Sequence, residues 1–420
     1  MKKINTFCLV FLILYIPVCI LFYNALPDIV DEAMSAIIIL FALMNFNIKR
    51  NNAKIKNELK AYVGIMLFYI IYSLLIKINT VPAIFYDLQQ QVKPYLVFYS
   101  TYLLAPMFSQ SQYRLISKLT IYFILSFIGI HLAGIRFDYI GLATPIIGQA
   151  SLLCGLLYYL GHDISQKRHS RIALLILSLG LISGKSKFFG EYVVFIAVIF
   201  FLHKKLELNS LKTNLYIVLL AIVVLFFTWT KFDAYYVQGF QTEDTSEMEA
   251  RPASYKTATT IIFKDYIPFG SGLASFATAA AAKYYSPLYY KYNLSEIWGM
   301  SPSFPHFIAD AFFPTLAEYG LVGVIFFIVF WIRRYKEIYA ISEIKYYKVA
   351  FLCMLALFLE SVADTSYLSG KGLGYFMLIA ICMRRNYYFK EEMKRRKMMA
   401  QYEEANKNNE ENTLLKEESY

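Results

Sequence analysis

Charge is scarce in this sequence. Asp, Glu, Lys and Arg make up 17% of its 420 residues, while 58% are hydrophobic and apolar runs recur along the whole length. A water-soluble core cannot bury that much apolar surface, which excludes a soluble globular domain and leaves a polytopic membrane protein. Cysteine is scarce as well. Cys8, Cys19, Cys154, Cys353 and Cys382 are the five present, and each falls inside an apolar run, which excludes a disulfide framework and a cysteine-built metal site. The polar intervals carry no Asp/His cluster at metal-ligand spacing, so metal-dependent chemistry has no candidate ligands and none are assigned. There is no repeat of fixed period and no low-complexity linker. Between the apolar runs there is a single long polar interval, of about 80 residues.

Helix-length apolar sequence is what the chain has in abundance. A run of roughly 20 apolar residues crosses the hydrocarbon as a helix, because backbone groups in lipid must pair within their own segment. The pattern predicts an all-α integral membrane protein of about twelve spans, near residues 5–24, 29–47, 61–76, 94–108, 119–135, 145–161, 172–183, 188–202, 214–231, 314–332, 347–363 and 371–384. Those at 94–108, 172–183 and 371–384 are short for a full crossing.

Basic residues set the orientation. With the N-terminus in the cytoplasm, the inner segments collect Lys2 and Lys3, the stretch 48–60, Arg114 and Lys118, Lys167, Arg168 and Arg171, and Lys204, Lys205 and Lys212. They also collect the stretch Arg333 to Lys348 and everything from Arg384 onward, which together make most of the 41 Lys and Arg. This pattern satisfies the positive-inside rule, places both termini in the cytoplasm and puts residues 232–313 outside. The net charge of +11 follows from that topology and from anionic lipid, and calls for no nucleic acid. Met1-Lys2-Lys3 and the apolar run after it resemble a secretory signal, but no small-residue cleavage pattern follows, so the segment reads as a retained anchor. The chain divides into helices one to nine over 1–231, a large, partly helical outer loop over 232–313 before the tenth helix, helices ten to twelve over 314–384, and a polar cytoplasmic tail over 385–420.

The turns are less uniform. Asp28, Asp31 and Glu32 read as an ordinary hydrated turn, and 77–93 as an outer loop with Lys77, Asp87 and Lys93. Another outer turn runs from Ile135 through Arg136 and Gly141 to Pro145, a first-turn proline whose missing N–H has no partner to lose. Ser183-Gly184-Lys185-Ser186-Lys187 puts two lysines at the outer end of a tight turn, against the orientation trend. They either snorkel to head groups or pair with Glu191, or they bind an anion. The outer loop opens with Glu243, Asp244, Glu247 and Glu249, continues with Arg251, Lys256, Lys264, Lys283 and Lys291, and is dense in tyrosine. Tyrosine suits both a membrane interface and stacking on sugar rings. The alanine-rich Gly272 to Lys283 predicts a short helix near the membrane surface.

Lys264-Asp265-Tyr266-Ile267-Pro268-Phe269-Gly270-Ser271-Gly272-Leu273, downstream of Arg251, resembles the basic, Tyr, Pro, aromatic, Gly, x, Gly motif of the bacterial O-antigen/capsule polymerase (Wzy) and O-antigen ligase (WaaL) superfamily. Glu318-Tyr319-Gly320-Leu321-Val322-Gly323 is similar to the Glu-x-Gly-hydrophobic-x-Gly start of that family's next span. Ser183 to Lys187 resembles its Ser-x-Ser-Arg turn with lysine in the arginine position. Arg136, Gly141 and Pro145 resemble its Arg…Gly…Pro-Asn turn, with Ile146 where asparagine is usual. The histidine position of ligase-type members falls on Ala309, with His306 one helical turn earlier and Asp310 beside it, which ranks the ligase reading second and leaves two alternatives for a general base.

The resemblance implies a GT-C-like fold in the bacterial inner membrane and an enzyme with no cofactor. Its implied activity is polymerisation of undecaprenyl-pyrophosphate-linked oligosaccharide repeats at the periplasmic face, with a chain-length regulator and a flippase of the same pathway as partners. Arg251 and Lys187, then Lys185, Arg136 and Lys264, are the candidates to hold the pyrophosphate, because charge develops on that leaving group and an arginine fork donates two bonds to one phosphate. His306 or Asp310 would orient or deprotonate the acceptor hydroxyl. Glu318 and Glu360 read as partners of basic residues, with Glu318 and Tyr255 in supporting positions. A ligase-type transferase is the second reading. A transporter, which would carry ionisable residues at mid-membrane and repeated halves, is the third.

Overall fold

Backbone groups obliged to pair locally make helices, and 79% of the computed structural model is helical, with no strand among the described residues. Those residues are 2–21, 29–45, 53–133, 144–202, 204–207, 210–239, 241 and 248–417. In chain order the helices are α1 (Lys2–Tyr15), α2 (Ile29–Met44), α3 (Ala53–Ile76), α4 (Val81–Leu104), α5 (Gln110–Leu132), α6 (Thr144–Gly161), α7 (Lys167–Ser178), α8 (Ser186–Ile196) and α9 (Leu211–Phe232). They continue with α10 (Ala250–Thr260), α11 (Ala279–Lys283), α12 (Leu288–Lys291), α13 (Gly320–Tyr339), α14 (Ile344–Ser361) and α15 (Gly370–Glu417). Lys3–Ile20, Ala53–Ile76 and Gln110–Ile130 are long and apolar enough to cross a membrane. Leu211–Phe226 with Thr228–Val237 adds a stretch bent by 71°.

Several expectations change here. The expected outer loop 77–93 and the short span after it form one helix, α4, which starts beside Pro82 and carries Pro94 inside it. Of the acidic turn, Asp28 lies outside the described residues, and Asp31 is buried rather than hydrated: it accepts from Lys93 Nζ at 2.7 Å and caps the Gly370 N–H at 2.9 Å, while Lys93 also reaches Glu32 at 3.2 Å. A charge taken out of water must be paired, and Lys93 supplies the pair. The polar tail continues α15 to Glu417, in keeping with its content of strong helix formers and an Arg396–Glu392 pair one turn apart.

Helices α4, α6, α14 and α15 pack together at the centre, with α5 and α7 on α6 and α8 on α9. Small residues permit the close approach that association within lipid requires. A Cβ on Gly148 would lie 2.3 Å from the Phe188 ring, and one on Gly155 2.6 Å from Leu177. The segment between α9 and α13 has its own apolar core, which includes Met248, Ala253, Ile261, Phe276, Tyr289 and Met300.

Only Ala279–Lys283 of the expected 272–283 helix is helical. Ala274 and Ala277 adopt φ of 61° and 58°, and N–H groups of 273, 274, 276 and 277 go to side chains instead: Ser73, Asp87, Glu318 and Tyr289. Ala280 and Ala281 are buried within the protein, while Ala279 and Lys283 on the same helix are exposed.

Candidate functional site

The connection between α14 and α15 is where distant polar side chains meet. Val362, Asp364, Ser366 and Tyr367 lie on it, and several other parts of the chain reach it. From the first turn of α8, Lys187 Nζ stands 2.5 Å from Asp364 Oδ2 and 3.9 Å from Glu360 Oε2. Gln149 of α6 donates from Nε2 to Glu360 Oε2 at 2.8 Å and to Ser366 Oγ at 2.6 Å. Glu191, one turn after Lys187, is buried with no hydrogen-bond partner on either carboxylate oxygen. Burial alone would raise the Asp364 carboxyl, but Lys187 and Lys371 outweigh it and hold Asp364 at about 2.

Arg251 lies on α10, whose Tyr255 reaches the same connection. Its Nε and Nη2 donate to a single oxygen of Asp310, Oδ2, at 2.8 and 2.6 Å, and its guanidinium lies 4.6 Å over the Tyr235 ring. The pair is partly open, with side-chain exposures of 16% and 27%. Tyr255 and Tyr236, in edge-to-face contact, both donate to the Val362 carbonyl, at 2.9 and 3.1 Å. Burial, reinforced by Tyr236, holds the Tyr255 hydroxyl well above its ordinary range, so it remains a donor. The Phe312 N–H donates to the Ser361 carbonyl at 3.1 Å. These bonds tie the segments that carry Arg251 and Asp310 to the same connection whose Asp364 holds Lys187.

Arg251, Asp310, Lys187 and Tyr255 are thus brought together; the remaining candidates are not. His306 is exposed, stacked on Phe304 at 5.6 Å and edge-on to Phe307, and among the described residues it makes no hydrogen bond to Arg251 or Asp310. Lys185 and Lys264 are exposed. Arg136 lies outside the described residues. Lys187 finds its ion pairs in Asp364 and Glu360 rather than in Glu191. Glu360 does pair with a basic residue, but Glu318 does not. Glu318 is fully buried and accepts from the Phe276 N–H at 3.0 Å, Thr278 Oγ1 at 3.2 Å and Gln91 Nε2 at 3.4 Å.

Glu318 belongs to a clamp between the two glycine motifs. Ser271 and Gly272 N–H donate to the carbonyls of Ala317 and Glu318 at 3.0 and 2.9 Å, and Val322 N–H to that of Pro268 at 3.1 Å. A Cβ on Gly270 would sit 2.3 Å from the Gly320 nitrogen, and one on Gly320 2.2 Å from the Gly270 nitrogen; their φ values are +79° and +60°. Each glycine is required by the other's backbone. Tyr69 and Tyr72 of α3 brace the clamp by donating to the carbonyls of Tyr319 and Gly270 at 2.7 and 2.8 Å.

Sequence reasoning missed Asp364, Lys371, Gln149 and Tyr236. The signal for Asp364 and Lys371 was the polar content of 361–371, a short stretch that hydropathy treats only as a gap between two spans; Gln149 and Tyr236 gave none.

Chemically, the turn offers Lys187, Lys371 and Arg251 to an anion, and Asp310 as a carboxylate which an incoming oxyanion would displace from Arg251. Comparison of the chain with protein-family models, curated proteins and solved structures finds no match.

Proposed function

We propose that this protein is a membrane glycan polymerase that joins undecaprenyl-pyrophosphate-linked repeats at the outer face of the bacterial inner membrane. In this reading the chain crosses about twelve times in a GT-C-like arrangement, both termini are cytoplasmic, and residues 232–313 together with the 361–371 turn lie outside. The observation that carries the proposal is that α10, which bears Arg251, is tied through Tyr255 to the same turn whose Asp364 pairs with Lys187, residues far apart in sequence. A pyrophosphate replaces Asp310 at Arg251 and lies between Arg251, Lys187 and Lys371. The acceptor hydroxyl attacks the anomeric carbon, the C–O bond to pyrophosphate breaks, and the freed Asp310 takes the hydroxyl proton. The cations stabilise charge as it grows on the leaving group, the step at which binding energy accelerates reaction.

The test resolves surface glycans by length in cells lacking the gene and in cells complemented with Arg251→Ala or with the charge-balanced double variant Lys187→Ala/Asp364→Asn at matched protein levels. The expected result is loss of long chains with single repeats still transferred to the final carrier. Loss of single repeats as well points to a ligase, and full rescue by both variants overturns the pyrophosphate site.

A further inference from the structure

A second site lies at the far end of α13 from the glycine clamp. Helices α3 and α13 flank a cavity of 360 Å³ whose lining is largely aromatic and aliphatic, with Tyr62, Tyr69, Phe327 and Phe330 among its walls. That volume lies within the range of small-ligand sites, about 300–1,000 Å³. Its polar end is built from Arg334, Arg333 and Glu58. Arg334 is 1% exposed and is wedged 5.3 Å from both the Phe98 and Phe330 rings. Its Nη2 binds Glu58 at 2.5 Å and Glu337 at 3.2 Å, but Nε and Nη1 have no acceptor. At the clamp end, the buried Tyr319 hydroxyl also lacks a partner. Buried donors left unsatisfied are costly, and cations most of all. Glu337 is shared with Lys54 at 2.7 Å, so Glu58 and Glu337 are offset by Arg334 and Lys54. Arg333 is left exposed, with no carboxylate partner among the described residues.

We infer that this groove binds one anionic phospholipid, with an acyl chain along the aromatic walls and the headgroup phosphate on Arg334 and Arg333. Charge complementarity selects the headgroup: among the described residues, the three N–H donors on Nε and Nη1 of Arg334 and the whole of Arg333 await an anion. The open side selects a lipid. Ile325 and Phe326, which line the cavity, are 49% and 44% exposed on the outer surface of α13. From Tyr319 to Arg334 the groove runs about 22 Å along the helix. That exceeds the roughly 15 Å of one leaflet's hydrocarbon, so a single chain fits lengthwise. In the proposed topology this end faces the cytoplasmic leaflet, where anionic lipids concentrate. The site is separate from the pyrophosphate site, and its test does not depend on that reaction.

Native mass spectrometry of the delipidated full-length protein, titrated with phosphatidylglycerol or with phosphatidylcholine of the same chains, tests the assignment. The expected result is one phosphatidylglycerol bound about ten-fold more tightly than phosphatidylcholine. Arg333→Ala should bring the two close to parity. Ala61→Trp, a substitution at an exposed α3 residue lining the groove, should reduce occupancy about ten-fold with an unchanged melting temperature. Equal binding of both lipids by the unaltered protein, or undiminished binding by Ala61→Trp, overturns the inference. Should Ala61→Trp lower the melting temperature, Arg333→Ala decides alone, and an unchanged lipid preference then overturns it.

Discussion

Arg251 spends two of its five N–H donors on one oxygen of Asp310, an arrangement a phosphate can take over without moving the guanidinium. Lysine cannot reproduce that fork. Arg251→Ala is expected to slow chain elongation by about 10²–10³-fold, the usual effect of losing one donor aimed at developing charge. Arg251→Lys should recover only a small part of it, as read by timed glycan ladders. Lys187 differs because its partners are more deeply set. Lys187→Ala leaves Asp364, Glu360 and Glu191 with Lys371 as the nearby cation, and removing one member of a buried pair costs about 3–5 kcal/mol. The sign with pH can be worked out from Asp364. Its folded value of about 2 lies below the unfolded value of about 3.9. Its contribution to stability is therefore present above pH 4 and lost as pH falls toward 2. Without Lys187 that advantage shrinks, so the variant's deficit in melting temperature should be larger at pH 6 than at pH 3. A deficit independent of pH would show that packing, not charge, is what Lys187 provides.

At the scale of elements, the two glycine motifs pack against each other. Gly270→Ala and Gly320→Ala each force a Cβ to within 2.3 Å of backbone atoms at a positive φ, where strain alone costs about 1–3 kcal/mol. Both should lower the melting temperature in detergent and expose the 248–319 segment to protease. Gly64 of α3 is the contrast, because a Cβ there meets nothing within 4 Å. Gly64→Ala should be neutral or stabilising by about 0.5–1 kcal/mol, since it relieves a glycine inside a helix. Equal tolerance of all three changes would remove the clamp from the account of the fold.

For the whole molecule, the proposed topology is open to direct labelling. All five native cysteines are buried, so a membrane-impermeant maleimide should leave the intact protein unmodified. Ser303 and Ser165 are exposed, the first in the 248–319 segment and the second in the α6–α7 turn. Ser303→Cys should label in intact spheroplasts and Ser165→Cys only after permeabilisation. Labelling of both from one side would overturn the orientation.

The all-helical class, with several helices long and apolar enough to cross a membrane, was legible in the sequence because partition into lipid depends on local properties, namely run length and the count of charges. Arg251 stood out in the sequence for a similar reason, as the arginine of the one long polar interval. Helix limits were less legible where a helix carried polar residues. The run of Asp87, Gln91 and Lys93 reads as loop, although α4 buries all three, because their partners Asp31 and Glu318 lie far away in sequence. The same reason hid Asp364 and Lys371 and gave Glu318 the wrong partner. Composition and periodicity determined that the chain makes apolar helices around one large polar segment. Which acid meets which cation, and whether a motif glycine serves a substrate or another glycine, was decided by tertiary packing alone, because a buried charge takes its partner from whichever distant segment the fold brings within about 3 Å.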